Sequence, residues 1–312
     1  MAQQHWSKMQ ERGTLLGMRI LLGFYRLVGR KVLWVMLFPV VFYFYLSGKA
    51  QRRASIEFLN QVAKATNSQQ KPGFWQGLKH FCTFADSAFD KIDAWLGRIP
   101  LDAIVYHNKA LFEELSNSKQ GAVFIGSHLG NLEVCRALSQ GRYAVTINVL
   151  VFTHHAVEFN KVLKQLNPGV SVNLIQVSDT SPELAILLKQ KIDQGEVIVI
   201  VGDRTSSSVA GRVNNCEFLG RSAPFSQGPF ILASILGCPV YNLFCLKDNN
   251  QYHVVFEKYA DEIKLHRKTR QQDLQQLMQA YADKLGKYAC QYPYQWFNFY
   301  DFWADDNTVS RD

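Results

Sequence analysis

After Gln120 the chain alternates short runs rich in Val, Ile and aromatic residues with amphipathic helical stretches, and this alternation narrows the possible folds sharply. The runs Ala122 to Ile125, Tyr143 to Phe152, Val170 to Val177, Glu196 to Val201, Val240 to Leu246 and Tyr252 to Glu257 read as strands. Helical spacing covers His155 to Leu166, Pro182 to Gln194, Gln227 to Leu236 and Thr269 to Cys290. The second of these has Ser181 as N-cap, Pro182 in its first turn and Gly195 just past its end. The pattern predicts an α/β fold, a mostly parallel or mixed sheet flanked by helices, with functional groups at strand ends. Residues 51–118 read as helix in three pieces, broken at Lys71-Pro72-Gly73 and at Ile99-Pro100. Their aromatic stripe (Phe74, Trp75, Phe81, Phe84, Phe89) reads as packing, and His80 and His107 as structural or exposed histidines. The expected organisation is an anchoring segment over 1–50, a helical lead-in over 51–118 and an α/β core over 119–312, with 51–312 one globular domain.

Charge is distributed unevenly along the chain. The whole excess of +8 lies in the first 53 residues, where nine Lys and Arg face Glu11 alone. The remainder is balanced, so the high pI is no argument for nucleic-acid binding. A basic collar on a membrane-facing segment, able to meet anionic lipids, accounts for it better. Thr14 to Val28 has the pattern of a basic amphipathic helix. Val32 to Leu46 follows with fifteen uncharged residues. As helix it would extend about 22 Å, short of a hydrocarbon core about 30 Å thick. Pro39 interrupts it and basic residues flank both sides, which favours shallow or re-entrant insertion over a full crossing; a buried core helix is the other reading. Its first strong apolar block begins too late for a secretory signal. Six cysteines without a C-x-x-C pair read as reduced, buried thiols. The expected location is the cytoplasmic face of an inner membrane.

The segment Ala122 to Leu138, AVFIGSHLGNLEVCRAL, passes from an apolar strand through a small-residue turn into helical spacing beginning at Asn131. His128 falls in the turn and Glu133 five positions later, one helical turn in, so its carboxylate can fold back toward the imidazole. The backbone N–H groups of Gly130 and Asn131 at the helix start are candidate oxyanion donors. By spacing alone, Glu133 in a capping arrangement and His128 as a satisfied turn histidine remain an equal alternative. Histidine has the intrinsic basicity to accept a proton near neutral pH. No G-x-S-x-G elbow surrounds any serine, which weakens a serine-hydrolase reading.

The octet G-S-H-L-G-N-L-E strongly resembles the acyltransferase motif of the bacterial lipid A late acyltransferase family, the lauroyl and myristoyl transferases. The opening W-S-x-x-x-E-R-G (Trp6 to Gly13), V-G-D-R (Val201 to Arg204), F-L-G-R-x-A-P-F-S-Q-G-P (Phe218 to Pro229), G-C-P-V (Gly237 to Val240) and Y-Q-W-F (Tyr294 to Phe297) are also similar to family segments, so the resemblance covers nearly the whole chain. It implies a membrane-associated O-acyltransferase that moves a fatty acyl chain from an acyl carrier protein thioester to a hydroxyl of a lipid acceptor, with His128 and Glu133 as the catalytic pair. It implies no cofactor.

Asp203 and Arg204 follow the strand ending at Val201 and would lie at the same sheet edge as His128. Arg204 is a candidate phosphate ligand and Asp203 a group to position it or a sugar hydroxyl; a structural ion pair is the competing reading. Arg212 and Arg221 are further substrate-binding candidates, set against a solvated-surface reading. His154, His155 and Glu158 do not match a helix-borne H-E-x-x-H, and no metal site is expected there. The segment T-H-H-A-V-E-F-N departs from the family, which leaves a lysophospholipid or a polyene-type lipid as alternative acceptors. A membrane-peripheral lipid-binding protein with a vestigial motif, and a metal-dependent hydrolase, are the readings from other classes.

Overall fold

The computed structural model describes residues 15–135, 145–151, 173–177, 182–205 and 212–303. The helices α1 (Leu15–Ser47), α2 (Lys49–Ala65) and α3 (Phe74–Trp95) precede strand β1 (Ile104–His107) and helix α4 (Lys109–Ser118). Then come β2 (Ala122–Gly126), β3 (Ile147–Val151), β4 (Asn173–Gln176), α5 (Pro182–Asp193) and β5 (Val197–Val201). The chain continues through β6 (Val213–Phe218), β7 (Arg221–Ser226), α6 (Gly228–Leu236), β8 (Val240–Asp248), β9 (Gln251–Ala260) and α7 (Arg270–Gln291). It divides into two compact units, 1–92 with 215–224 and 281–312, and 93–214 with 225–280.

The second unit holds a seven-stranded mixed sheet in the order β1-β9-β8-β2-β5-β3-β4, the α/β architecture expected. β8, β2, β5, β3 and β4 run parallel, while β9 pairs antiparallel with β8 and parallel with β1. Strand residues alternate between faces, so Phe124, Tyr241 and Phe256 point to one side and stack there, with ring centroids 4.5 to 5.8 Å apart. Phe112 and Leu115 of α4 close over that face. Central β2 is wholly buried, as an unbroken AVFIG run between two parallel neighbours should be.

Three features differ from the sequence reading. β1 forms inside the stretch read as helical lead-in, because Ile104 and Val105 add a short parallel edge to β9. The stretch before and after Gly220, absent from the strands read in the sequence, is a β-hairpin, β6–β7. Its turn places Leu219 at φ 52° and Gly220 at φ 77°, the left-handed pair that suits a two-residue hairpin. From Asn131 to Cys135 the chain winds in 3₁₀ rather than α geometry, with Val134 N–H donating to Asn131 O (3.1 Å) and Cys135 N–H to Leu132 O (3.0 Å), and the rest of the helix expected there lies outside the described residues. The expected helix over 155–166, the Ser181 cap, and His154, His155 and Glu158 lie outside the described residues. All six cysteines are free thiols, four of them buried.

In the first unit α1 continues through Pro39 and is kinked at Gly29, whose φ/ψ of 76°/172° is not helical. The apolar stretch therefore extends over Leu27–Ser47, longer than the block read from sequence. One side of the helix, marked by Tyr25, Leu33, Val41 and Tyr45, is buried. Across from it Tyr25 stacks on Phe89 (5.7 Å), and Arg30 pairs with Asp86 (2.5 Å) and Asp90 (2.7 Å). Tyr45 meets Phe74 (5.1 Å) and Phe81 (5.0 Å) and donates its hydroxyl to the Phe74 carbonyl (2.7 Å). α1 and α3 thus run antiparallel, joined by long side chains.

Buried His80 of α3 fastens three distant segments of this unit. Its Nδ1 lies 2.9 Å from Ser55 Oγ of α2, and its Nε2 lies 3.0 Å from the Trp296 carbonyl oxygen. Trp296 is itself fully buried between Phe58 (4.7 Å) and Phe218 (5.2 Å). Since a carbonyl only accepts, Nε2 carries the proton and Nδ1 accepts from Ser55, so the neutral ring satisfies both partners. Burial outweighs the bond to Trp296 and pushes the His80 pKa down from 6.5 to about 4. An unfolded His80 binds a proton that the folded one refuses, so its stabilising contribution is complete above pH 6.5 and disappears as pH falls toward 4. Thermal unfolding should therefore show stability falling by roughly 3 kcal/mol across that window. A His80→Gln variant, unable to titrate, should lose most of that slope.

Candidate active site

β2 and β5 lie side by side and parallel, with Gly126 in register with Val201. Their carboxyl ends release Ser127-His128 and Gly202-Asp203 next to each other, and the Gly202 N–H donates to the Gly126 carbonyl (3.0 Å). Each functional side chain is thus two residues past a matched strand end. His128 Nδ1 lies 2.8 Å from Asp203 Oδ1, and the His128 backbone N–H donates to Asp203 Oδ2, also at 2.8 Å. One carboxylate fixes both the ring and its own backbone.

Asp203 is 1% exposed, while the His128 side chain keeps 28% of its surface open. Burial by itself pushes the Asp203 pKa up. The charge of His128, the two hydrogen bonds it donates and the nearby Arg204 guanidinium outweigh that and hold the carboxyl below its usual range. Asp203 is therefore ionised near neutral pH and accepts the Nδ1 proton, which leaves Nε2 as the ring nitrogen that can gain or lose a proton. This is the orienting arrangement of a carboxylate–histidine pair.

The turn after His128 is shaped by β8, which runs past the end of β2. The Leu129 N–H donates to Ser127 Oγ (3.1 Å), and the Asn131 N–H donates to the Cys245 carbonyl (2.7 Å). The Asn131 donor expected for an oxyanion is thus committed to β8, and only that of Gly130 is not used by this bond. Gly130 has φ 78° and forms a bridge with Cys245; a Cβ there would stand 2.0 Å from the Cys245 carbonyl oxygen, so no other residue fits.

Glu133 is half-buried, its N–H turned toward Asn131 Oδ1 (3.3 Å). Sequence reasoning paired Glu133 with the imidazole and gave Asp203 a role toward phosphate or sugar; the structure puts Asp203 on Nδ1. Two apolar strands that each run into a Gly and then polar residues, GSH and GDR, were the available signal, but pairing them required the register of β2 on β5. Arg204 follows directly and is half-buried. Arg212 is exposed at the start of β6, with its carbonyl accepting the Gln227 N–H (3.0 Å). Arg221 belongs to the first unit, paired with Glu57 (2.6 Å) and stacked over Trp303 (5.4 Å), contacts that account for its position without a phosphate. Among the described residues no cluster of His, Cys, Asp and Glu could hold a metal ion.

The fold is thus a mixed α/β sheet with a carboxylate-held histidine at adjacent strand ends. The model of the family described as bacterial lipid A biosynthesis acyltransferase matches residues 74–304, and the chain belongs to that family. It is accordingly an acyltransferase with a lipid acceptor. A search of curated proteins finds no match.

Gly130→Ala should be poorly tolerated, since its Cβ meets backbone rather than a yielding side chain. A positive φ costs an L-residue about 1–3 kcal/mol before that clash is added. Chemical denaturation should show at least that loss, with activity falling further than stability.

Proposed function

We propose that this acyltransferase moves a fatty acyl chain from an acyl carrier protein thioester to a hydroxyl of a membrane lipid, with His128 as general base. The observation that carries this reading is the contact of His128 Nδ1 with the buried Asp203 carboxylate at 2.8 Å. Nε2 takes the acceptor proton as the oxygen attacks the thioester carbonyl. The carbon–sulfur bond then breaks, and the imidazolium returns that proton to the departing thiolate, so no acyl-enzyme is needed. Asp203 holds the tautomer and stabilises the cation. The Gly130 N–H is the oxyanion donor we favour. Glu133, in the motif spacing that the family resemblance rests on, is assigned to positioning the acceptor hydroxyl.

Arg204, beside the pair, is the phosphate-binding candidate we retain, while Arg212 is assigned to the surface. A lipid A-like glycolipid is the acceptor that family membership favours; the departure at Thr153 to Asn160 keeps a lysophospholipid or polyene lipid as the second reading. The basic first 53 residues and the apolar stretch Leu27–Ser47 support a location at the inner membrane, on its cytoplasmic face, and an acidic carrier as donor.

Purified protein given an acyl carrier thioester and a lipid alcohol should release free carrier thiol and acylated lipid. His128→Ala should lower kcat by about 10²- to 10⁴-fold. Asp203→Asn should lower kcat by more than Glu133→Gln, and Glu133→Gln should act more on the KM for acceptor. Undiminished turnover by His128→Ala would overturn the mechanism. Lipid profiling of cells with and without the gene should reveal a product heavier by one acyl group and so name the acceptor.

A further inference from the structure

Along the carboxyl edge of the sheet, His128 stands between two strand ends that each carry a cation. β5, on one side of β2, releases Arg204; β8, on the other, runs past the end of β2 and reaches Lys247. The charge of Arg204 already helps to hold Asp203 ionised. Lys247 has no part in the chemistry described so far.

Strand geometry places Lys247 beside the catalytic turn. The Asn131 N–H donates to the Cys245 carbonyl (2.7 Å), and Gly130 bridges to the same residue. Side chains two apart on a strand share a face, so Lys247 follows Cys245 on that face, about 7 Å nearer the open edge. Asp248 falls on the opposite face. With one strand spacing added, the Lys247 Cα stands about 9 Å from that of Gly130.

The lysine is also held. β8 is buried from Val240 through Leu246, and Lys247, the first residue beyond that run, is half-buried. Its ammonium sits over the ring of buried Tyr252, the residue opposite it on β9, 5.6 Å from the centroid. A ring face attracts an ammonium without neutralising it, so the contact restrains the flexible stem and leaves the charge intact. Because Tyr252 lies on the side of β8 away from β2, the ammonium leans away from the Gly130 N–H and is poorly placed to act on an oxyanion there. Neither an alcohol nor a thioester carries charge before they react. A restrained cation at this distance fits a different part of a substrate, an anionic group with several acceptor oxygens, and lysine meets phosphate as a point charge.

We propose that Lys247 binds a phosphate group of a substrate seated at His128, on the opposite side of β2 from Arg204. This rests on the acyl transfer proposed above and adds a binding residue to it. Two substrates of that reaction can bring the phosphate: the lipid acceptor through its headgroup, and the carrier through its pantetheine arm.

Assays of the purified full chain separate them. The lipid alcohol is supplied with and without a phosphate monoester, and the acyl group on carrier protein or on N-acetylcysteamine, whose thioester has no phosphate. Lys247→Met keeps an unbranched chain over Tyr252 and removes the charge; with the phosphorylated acceptor and the carrier donor it should lower kcat/KM about tenfold, through KM. Lys247→Arg should recover most of that loss, and neither change should shift the unfolding midpoint. A loss that shrinks to about twofold when the acceptor lacks its phosphate, with either donor, would support the proposal and name the acceptor; one that shrinks only with the N-acetylcysteamine thioester would support it and name the donor. No loss in Lys247→Met, a loss of equal size with every pair, a fall in kcat in place of a rise in KM, or a Lys247→Arg no better than Lys247→Met would overturn the proposal and leave the acyl transfer standing. Absence of transfer by the unaltered protein with every pair would overturn the proposed function, and this assignment with it.

Discussion

Everything at the strand ends depends on one carboxylate shut away from water. Asp203 has no solvent to satisfy it, so its two oxygens need donors from the protein, and His128 supplies one from its ring and one from its backbone. Neither bond survives a slip of β2 against β5, because a shift by one residue would carry one side chain to the other face of the sheet. The apolar registry of the central strands and the chemistry at their tips are therefore one constraint. The same logic extends to the far side of β2, where Gly130 lets the turn approach the Cys245 carbonyl and so sets the path by which the chain leaves His128.

The sheet was largely legible in the sequence because its strands are unusual stretches of Val, Ile and aromatic residues bounded by Gly and polar turns. AVFIG and VIVIV are each too apolar and too short for anything but buried parallel strands. The β6–β7 hairpin was not legible, since Asn214 and Asn215 obscure an alternation that survives only as buried Cys216 and Phe218 against exposed Asn215 and Glu217. The motif histidine was visible for its spacing, yet its partner was not. A spacing rule sees five residues along one chain, whereas the contact that orients the ring joins positions 75 residues apart. Likewise, Arg30 and Lys31 ended the uncharged run in the sequence, and nothing along the chain shows that Arg30 turns toward Asp86 and Asp90.

The two units differ in what holds them together. The second is a sheet whose backbone pairing joins every strand and whose aromatic cluster of Phe124, Tyr241 and Phe256 covers one face of its centre. The first is an assembly of helices and an aromatic tail joined by a few specific polar links inside apolar surroundings. Those links are strong in fixing geometry and weak as sources of net stability, because burying a neutral imidazole or an arginine with two carboxylates costs much of what the contacts return.

Trp296 arrives 216 residues after the histidine whose ring it receives. A ribosome therefore makes Ser55, Phe58 and His80 long before the indole that completes their packing exists. Through that interval the early helices carry an unfinished apolar face, and they can reach their final form only after synthesis has passed through the whole of the sheet. For this chain, the packing around His80 is therefore among the last parts of the fold to be completed.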